Sequence, residues 1–171
     1  LVLDGLPEAT GGLFQNASAR PFLGQPGCVG RQAMVSFSIS GEPSAAWVSP
    51  FGVHYTNGQI ARRISDDLDW ETEVDVASLS TAVLQWNPND ATLILAYDSD
   101  GGGSNDKYFV FHMDPIHRKS NSQPKITRGD GDIACMAAGM VSNLHRIYAG
   151  HTTNGIVYLD YDNTTTKTLK G

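Results

Sequence analysis

The stretch Gly52-Val-His-Tyr-Thr-Asn-Gly-Gln-Ile-Ala-Arg-Arg-Ile64 decides the fold class. Asn57-Gly58 lies between two short runs, Gly52 to Tyr55 and Gln59 to Ile64. Asn and Gly accept the positive φ angles of a tight turn, so this pattern predicts a β-hairpin. Upstream, Ala33-Met-Val-Ser-Phe-Ser-Ile39 alternates apolar with small or polar residues and stops at Gly41-Glu-Pro43. Ala45-Ala-Trp-Val48 is a further apolar run, closed by Ser49-Pro50. Four short strands in a meander follow from these breaks.

The same grammar recurs twice. Leu79 to Trp86 ends at the turn cluster Asn87-Pro-Asn-Asp90. Thr92-Leu-Ile-Leu-Ala-Tyr97 follows, then the polar loop Asp98 to Asp106, the run Lys107 to Met113 and a short strand at Lys125-Ile-Thr127. A third round runs through Asp132 to Ala138, Arg146 to Ala149, Gly155 to Leu159 and Thr165 to Leu169. The rounds begin near residues 33, 80 and 132, which are 47 and 52 residues apart. Propeller blades repeat at about 40–50 residues with four strands each. The reading is therefore all-β, a partial β-propeller of about three four-stranded antiparallel blades near 33–65, 79–128 and 132–170. A β-sandwich is the alternative, since it also strings short strands between turns. Residues 1–27 read as an extended arm or loop, and 28–171 as the propeller segment. The first strand of each round is rich in small residues (Ala33; Ser80, Thr81 and Ala82; Ala134, Ala137 and Ala138), as suits an innermost strand where blades converge. Ser65 to Trp70 is expected to form one helical turn with Ser65 as N-cap.

Composition narrows the function classes. The chain has 171 residues, 40 % hydrophobic and 18 % charged, enough for a real core. Its net charge of −6 argues against nucleic acid as the main partner, because phosphate binding runs on clustered Lys and Arg. Arg62-Arg63 and His117-Arg118-Lys119 are isolated. No apolar run approaches the ~20 residues of a membrane span. Two cysteines, Cys28 and Cys135, do not make a disulfide framework, and pairing between them stays open. The sequence opens Leu1-Val2-Leu3-Asp4 without an initiator Met, so a fragment or processed product is expected.

The stretch from Trp47 to Asp66, with its aliphatic-x-aromatic-x-Asn-Gly core and its basic close before Ile64-Ser65, resembles a blade type of tailed-bacteriophage virion proteins. The order that follows strengthens the resemblance: a Trp-bearing strand (Ala82 to Trp86), the Asn87-Pro88 turn, Leu93 to Tyr97, Tyr108 to Asp114, and a closing round from Arg146 to Asp160. The resemblance spans roughly residues 45–162. It implies a structural component of a tail nozzle, hub or head-to-tail connector, located in the virion. Its partners would be portal, adaptor or tail subunits and copies of itself in a ring, with passive contact with translocating DNA. Members of that group carry further blades, and three cannot close a ring of the usual four to eight. The remainder is expected outside these residues or from another chain.

Candidate chemistry gives way to structural readings, and no catalytic, cofactor-binding or metal-ligating residue is assigned. Asp98-Ser-Asp-Gly-Gly-Gly-Ser-Asn-Asp106 offers oxygen ligands but lacks calcium-loop spacing, so a mobile solvated hairpin loop is expected. Arg128-Gly-Asp130 matches an integrin-type tripeptide but reads as a turn between rounds two and three. His54, His112, His117, His145 and His151 lack metal-type spacing. No nucleophile elbow, phosphate loop or dinucleotide fingerprint is present. Glu42, Glu71, Glu73 and Asp75 are the acids a glycosidase would recruit, yet they sit in connections without an arginine cluster. Asn16 and Asn163 begin glycosylation sequons. Trp47 and Trp86 read as core, and Trp70 as the residue to test for sugar stacking. A carbohydrate-binding or glycan-hydrolysing propeller of a secreted protein is the alternative function.

Overall fold

A computed structural model describes residues 2–4, 18–20, 26–58, 61–113, 123–159 and 167–168. The strand Thr92–Tyr97 explains the architecture best. All six of its residues are buried, with Leu93, Ile94, Leu95 and Ala96 fully inaccessible. A strand apolar on both faces stabilises only a sheet that is covered on both sides. The rest of the chain supplies those covers.

Within residues 1–27, β1 (Val2–Asp4) pairs antiparallel with β2 (Ser18–Arg20). Three four-stranded antiparallel sheets follow among the described residues, each a simple meander. The first holds β3 (Met34–Ile39), β4 (Glu42–Ser49), β5 (Gly52–Thr56) and β6 (Ala61–Arg63). The second holds β7 (Val83–Asn87), β8 (Thr92–Tyr97), β9 (Lys107–His112) and β10 (Lys125–Asp130). The third holds β11 (Ile133–Val141), β12 (Leu144–His151), β13 (Gly155–Leu159) and β14 (Lys167–Thr168). The three rounds expected from the sequence are thus three separate sheets.

The second sheet lies between the other two. One of its faces presents Leu84, Trp86, Leu93, Leu95, Phe109 and Phe111 to Val35, Phe37, Ile39, Ala46 and Val48 of the first sheet. Phe37 stacks on Trp86 at 4.3 Å between centroids. Its other face packs Val83, Ala96 and Tyr108 against Met136, Ala149, Val157 and Leu159 of the third sheet. The first strands lie together: β7 contacts β3 on one side and β11 on the other. Leu84 N–H donates to Gln32 O at 2.8 Å, joining the lead-in of β3 to β7 by backbone.

Several expectations are corrected. Leu79 to Trp86 is not one strand. A 3-10 helix spans Val76–Thr81, capped by the Asp75 side chain accepting from Ala77 N–H, and β7 starts only at Val83. Ser80, Thr81 and Ala82 therefore precede the first strand of the second sheet and are not part of it. The helical turn expected at 65–70 is α1 (Trp70–Glu73), with Asp69 at its N-cap position. Ser65 is fully buried instead, its Oγ accepting the Val53 N–H at 3.0 Å. Glu42 and Pro43 do not end a strand but open β4. Ser40 and Gly41 both have positive φ and turn β3 back directly, so Ile39 pairs with Glu42. Pro43 is tolerated because β5 reaches along β4 only as far as Ala45, leaving no ladder for its missing N–H to break. The Asn57-Gly58 hairpin pairs Thr56 with Ala61 across a four-residue loop, whose residues 59 and 60 lie outside the described set. Cys28 and Cys135 are free, exposed thiols.

Candidate functional site

The chemistry-bearing residues gather at one end of the second sheet. Register places Tyr97, Lys107 and Asp130 in one row across β8, β9 and β10, and Arg128 beside Phe109 in the next row but one. Side chains two apart along a strand share a face. These four therefore project toward α1, which brings Thr72 and Glu73 over them. With Ser99 and Gly129 they line an open cleft of about 360 Å³.

A bidentate ion pair organises this cleft. Arg128 Nε donates to Glu73 Oε2 at 2.6 Å and Nη2 to Oε1 at 2.8 Å. Hydrogen bonding to the guanidinium holds the Glu73 carboxyl below its ordinary range, and the same contact raises Arg128. The guanidinium also sits over the Phe109 ring, 5.8 Å from its centroid. Tyr97 is buried and stacked on Phe109 at 4.4 Å, and burial pushes its phenol upward, helped by Glu73 and Asp106. Tyr97 therefore stays protonated at any physiological pH and can act here only as a hydrogen-bonding hydroxyl.

The tripeptide Arg128-Gly-Asp130 is not the turn expected from its sequence but lies within β10, hydrogen-bonded along β9. Gly129 leaves room for Tyr108: a Cβ there would run into the Tyr108 ring unless that side chain shifted. With Arg128 engaged by Glu73 and the backbone flat in a sheet, the looped display an integrin-type reader needs is missing.

The loop from 98 to 106 is solvated at its centre, where residues 100–104 are exposed as expected, and is held at both ends by hydrogen bonds of its own. Asp98 is buried, and its carboxylate accepts backbone N–H groups from Asp100, Gly101 and Gly103 at 2.7–3.1 Å. Burial alone would raise its pKa, but these backbone donors together hold it below the ordinary value. Asp106 accepts from the Ser99 N–H and hydroxyl. The carboxylates of Asp98, Asp100 and Asp106 lie within 4.8 Å of one another. Their oxygens already serve the loop's own N–H groups, which is the chemistry of a self-capped turn. Asn105 completes the loop: it is buried and donates Nδ2 to both Thr81 O and Ile133 O at 2.9 Å.

Of the other candidates, Glu73 has the arginine partner the sequence reading missed, since Arg128 lies 55 residues away. Asp75 is used as a helix cap. Trp47, Trp70 and Trp86 are all buried, and the Trp70 indole N–H donates to Pro50 O at 3.1 Å. His54 Nε2 meets Ser49 Oγ at 2.9 Å and stacks on Trp47, while His112 Nε2 meets Thr127 Oγ1 at 3.2 Å. Asn16, Asn163 and His117 lie outside the described residues.

No family model matches the chain, and no curated protein does. Among the described residues, no helix is long and apolar enough to cross a membrane.

Proposed function

We propose that this chain contributes three blades to a β-propeller and works as a non-catalytic structural component of a tailed-phage virion, in a tail nozzle, hub or head-to-tail connector. One observation carries the blade reading: the second sheet is buried on both faces while β3, β7 and β11, the first strands of the three meanders, lie side by side. A two-layer sandwich has no place for a third sheet on the far side of the second. Sheets that converge on their first strands fan around an axis, as blades do.

The virion reading rests on the sequence order from Trp47 to Asp160. The mechanism is mechanical: stacked sheets form a stiff plate between ring partners, which are other virion subunits and further copies of the chain. For passive contact with DNA, only Asp100 of the acidic loop is exposed, since Asp98 is buried and Asp106 half-buried. Repulsion of a translocating duplex therefore rests on Asp100 and on the chain's overall negative charge. The sugar-binding alternative loses its main contact, because buried Trp70 offers no ring face.

Affinity capture of the chain from its native source, followed by native mass spectrometry with identification of the accompanying polypeptides, tests this reading. Portal, adaptor or tail subunits in one particle support it. A free chain, or a particle of secreted enzymes, overturns it.

A further inference from the structure

Among the described residues, arginine lies over an aromatic ring at three places: Arg62 on Tyr55, Arg146 on Tyr158 and Arg128 on Phe109. At the last of these, Glu73 completes the arrangement by taking the guanidinium on both carboxylate oxygens. A further ring stands beside carboxylates with no such arginine. Phe51 is 63 % exposed, yet it sits in the two-residue turn that closes β4 onto β5 and is firmly held there. Its N–H donates to Ser49 Oγ at 3.1 Å, Ser49 Oγ donates to Gly52 O at 3.2 Å, and the Trp70 indole N–H anchors Pro50 O. Phe51 rims a pocket of about 200 Å³ together with Leu68, Asp69 and Glu71. The Asp69 and Glu71 carboxylates make no hydrogen bond or ion pair among the described residues, and Asp69 does not cap α1 with its side chain. Arg63 also lines the pocket, but it pairs with Asp66 at 3.0 Å.

We infer that this pocket takes an arginine side chain from a partner protein, with the guanidinium stacked on Phe51 and paired with Asp69 and Glu71. Charge complementarity selects the occupant. With Arg63 spent on Asp66, two carboxylates remain beside an exposed ring, and a planar cation satisfies the ring and the acids together. Lysine brings the charge without the flat fork that meets carboxylate oxygens in pairs. An apolar side chain would cover Phe51 but strip water from the acids and return no hydrogen bond. The chain itself builds the same constellation from Phe109, Glu73 and Arg128, so the geometry suits these residue types. Because the turn already fixes the Phe51 backbone, docking has less ordering to impose on it. Arginine is also among the residues enriched where interfaces concentrate their binding energy. The pocket lies on the first sheet and the segment around α1, so it is independent of the blade and virion readings.

Titration of the full chain with N-acetyl-arginine amide, followed by amide chemical shifts, tests the inference. Saturable shifts are expected at residues 50–52 and 68–71, with a Kd of about 1–10 mM for one side chain detached from its protein. The citrulline analogue keeps the shape and loses the charge, and should bind at least about tenfold more weakly. Phe51→Ala should weaken arginine binding about threefold. Asp69→Asn combined with Glu71→Gln should weaken it about tenfold. Far-ultraviolet spectra should not change, because all three side chains are exposed. In the native assembly, p-benzoylphenylalanine substituted at Phe51 should cross-link to an arginine-containing peptide of another chain. No saturable shift, equal binding of the citrulline analogue, or full binding by either variant overturns the inference. So does arginine binding that appears only after Arg118→Ala, or a cross-link that returns to residues 114–122, because the pocket is then filled from within the chain.

Discussion

Asn105 and Ile133 hold each other reciprocally: the Ile133 N–H donates to Asn105 O at 2.9 Å, and Asn105 Nδ2 donates to Ile133 O at 2.9 Å. This fixes where the third sheet begins relative to the loop that ends β8. Asn105→Ala leaves the Ile133 and Thr81 carbonyls without their partner in a buried site. An unsatisfied buried polar group costs about 1–3 kcal/mol. We expect Asn105→Ala to lower unfolding free energy by about 2–4 kcal/mol in urea titration, and to speed amide exchange in β11 before β4.

The Phe37–Trp86 stack joins the first two sheets in the same way. Trp86→Ala is expected to cost about 3–5 kcal/mol, as large aromatic truncations in cores do. Phe37→Ala should cost less, because Phe37 is only half-buried. A double-mutant cycle by denaturant unfolding should return a coupling of about 0.5–1.5 kcal/mol beyond area burial.

Acid sensitivity follows from two groups with the same sign. The Asp98 pKa is lowered in the fold from 3.8, so the unfolded chain binds the proton more readily. Its stabilisation is complete above that value and is lost as pH falls through the lower folded pKa. The His54 pKa is lowered from 6.5 by burial and by Arg63, against the opposing pull of Asp66. Folding is therefore penalised progressively as pH drops below 6.5. Melting temperature should decline in two stages, below about pH 6.5 and again below about pH 4. His54→Gln should flatten the first stage and Asp98→Asn the second.

Gly129→Ala drives a methyl group into the Tyr108 ring, and overpacking of this kind costs about 1–3 kcal/mol. Thermal melts should show the loss, and Tyr108→Leu should recover part of it in the double variant. Glu73→Gln, by contrast, should cost under about 1 kcal/mol despite its bidentate partner, because Arg128 is half exposed.

The legible parts of the fold were those in which local preference and packing agree. Thr92–Tyr97 reads as a strand because its apolar run is bounded by Asp90 and Asp98, and both faces are in fact buried. Met34–Ile39 alternates because only one face is covered. Val76–Thr81 was hidden because Leu79 and Ala82 continue the apolar spacing of β7, while the Asp75 cap looks like any acid in a connection. At the cleft, Glu73 and Arg128 each look solvated in sequence; only the pairing of β9 with β10 beside α1 brings them together. Arg128 to Asp130 carries turn residues, yet the β9 ladder overrides that preference and uses Gly129 to seat Tyr108. The burial of Asp98 is not legible in sequence, because the triple glycine after it suggests only looseness. In the fold Gly101 and Gly103 turn their N–H groups onto the Asp98 carboxylate, while Gly102 donates to Asp100.

The most direct test of the central claim is an electron cryo-microscopy map of the native assembly containing this chain. The account predicts antiparallel four-stranded sheets arranged radially, with β3, β7 and β11 nearest a common axis and further sheets completing the circle. Sheets laid as two parallel layers, with β8 open to solvent on one side, would contradict it.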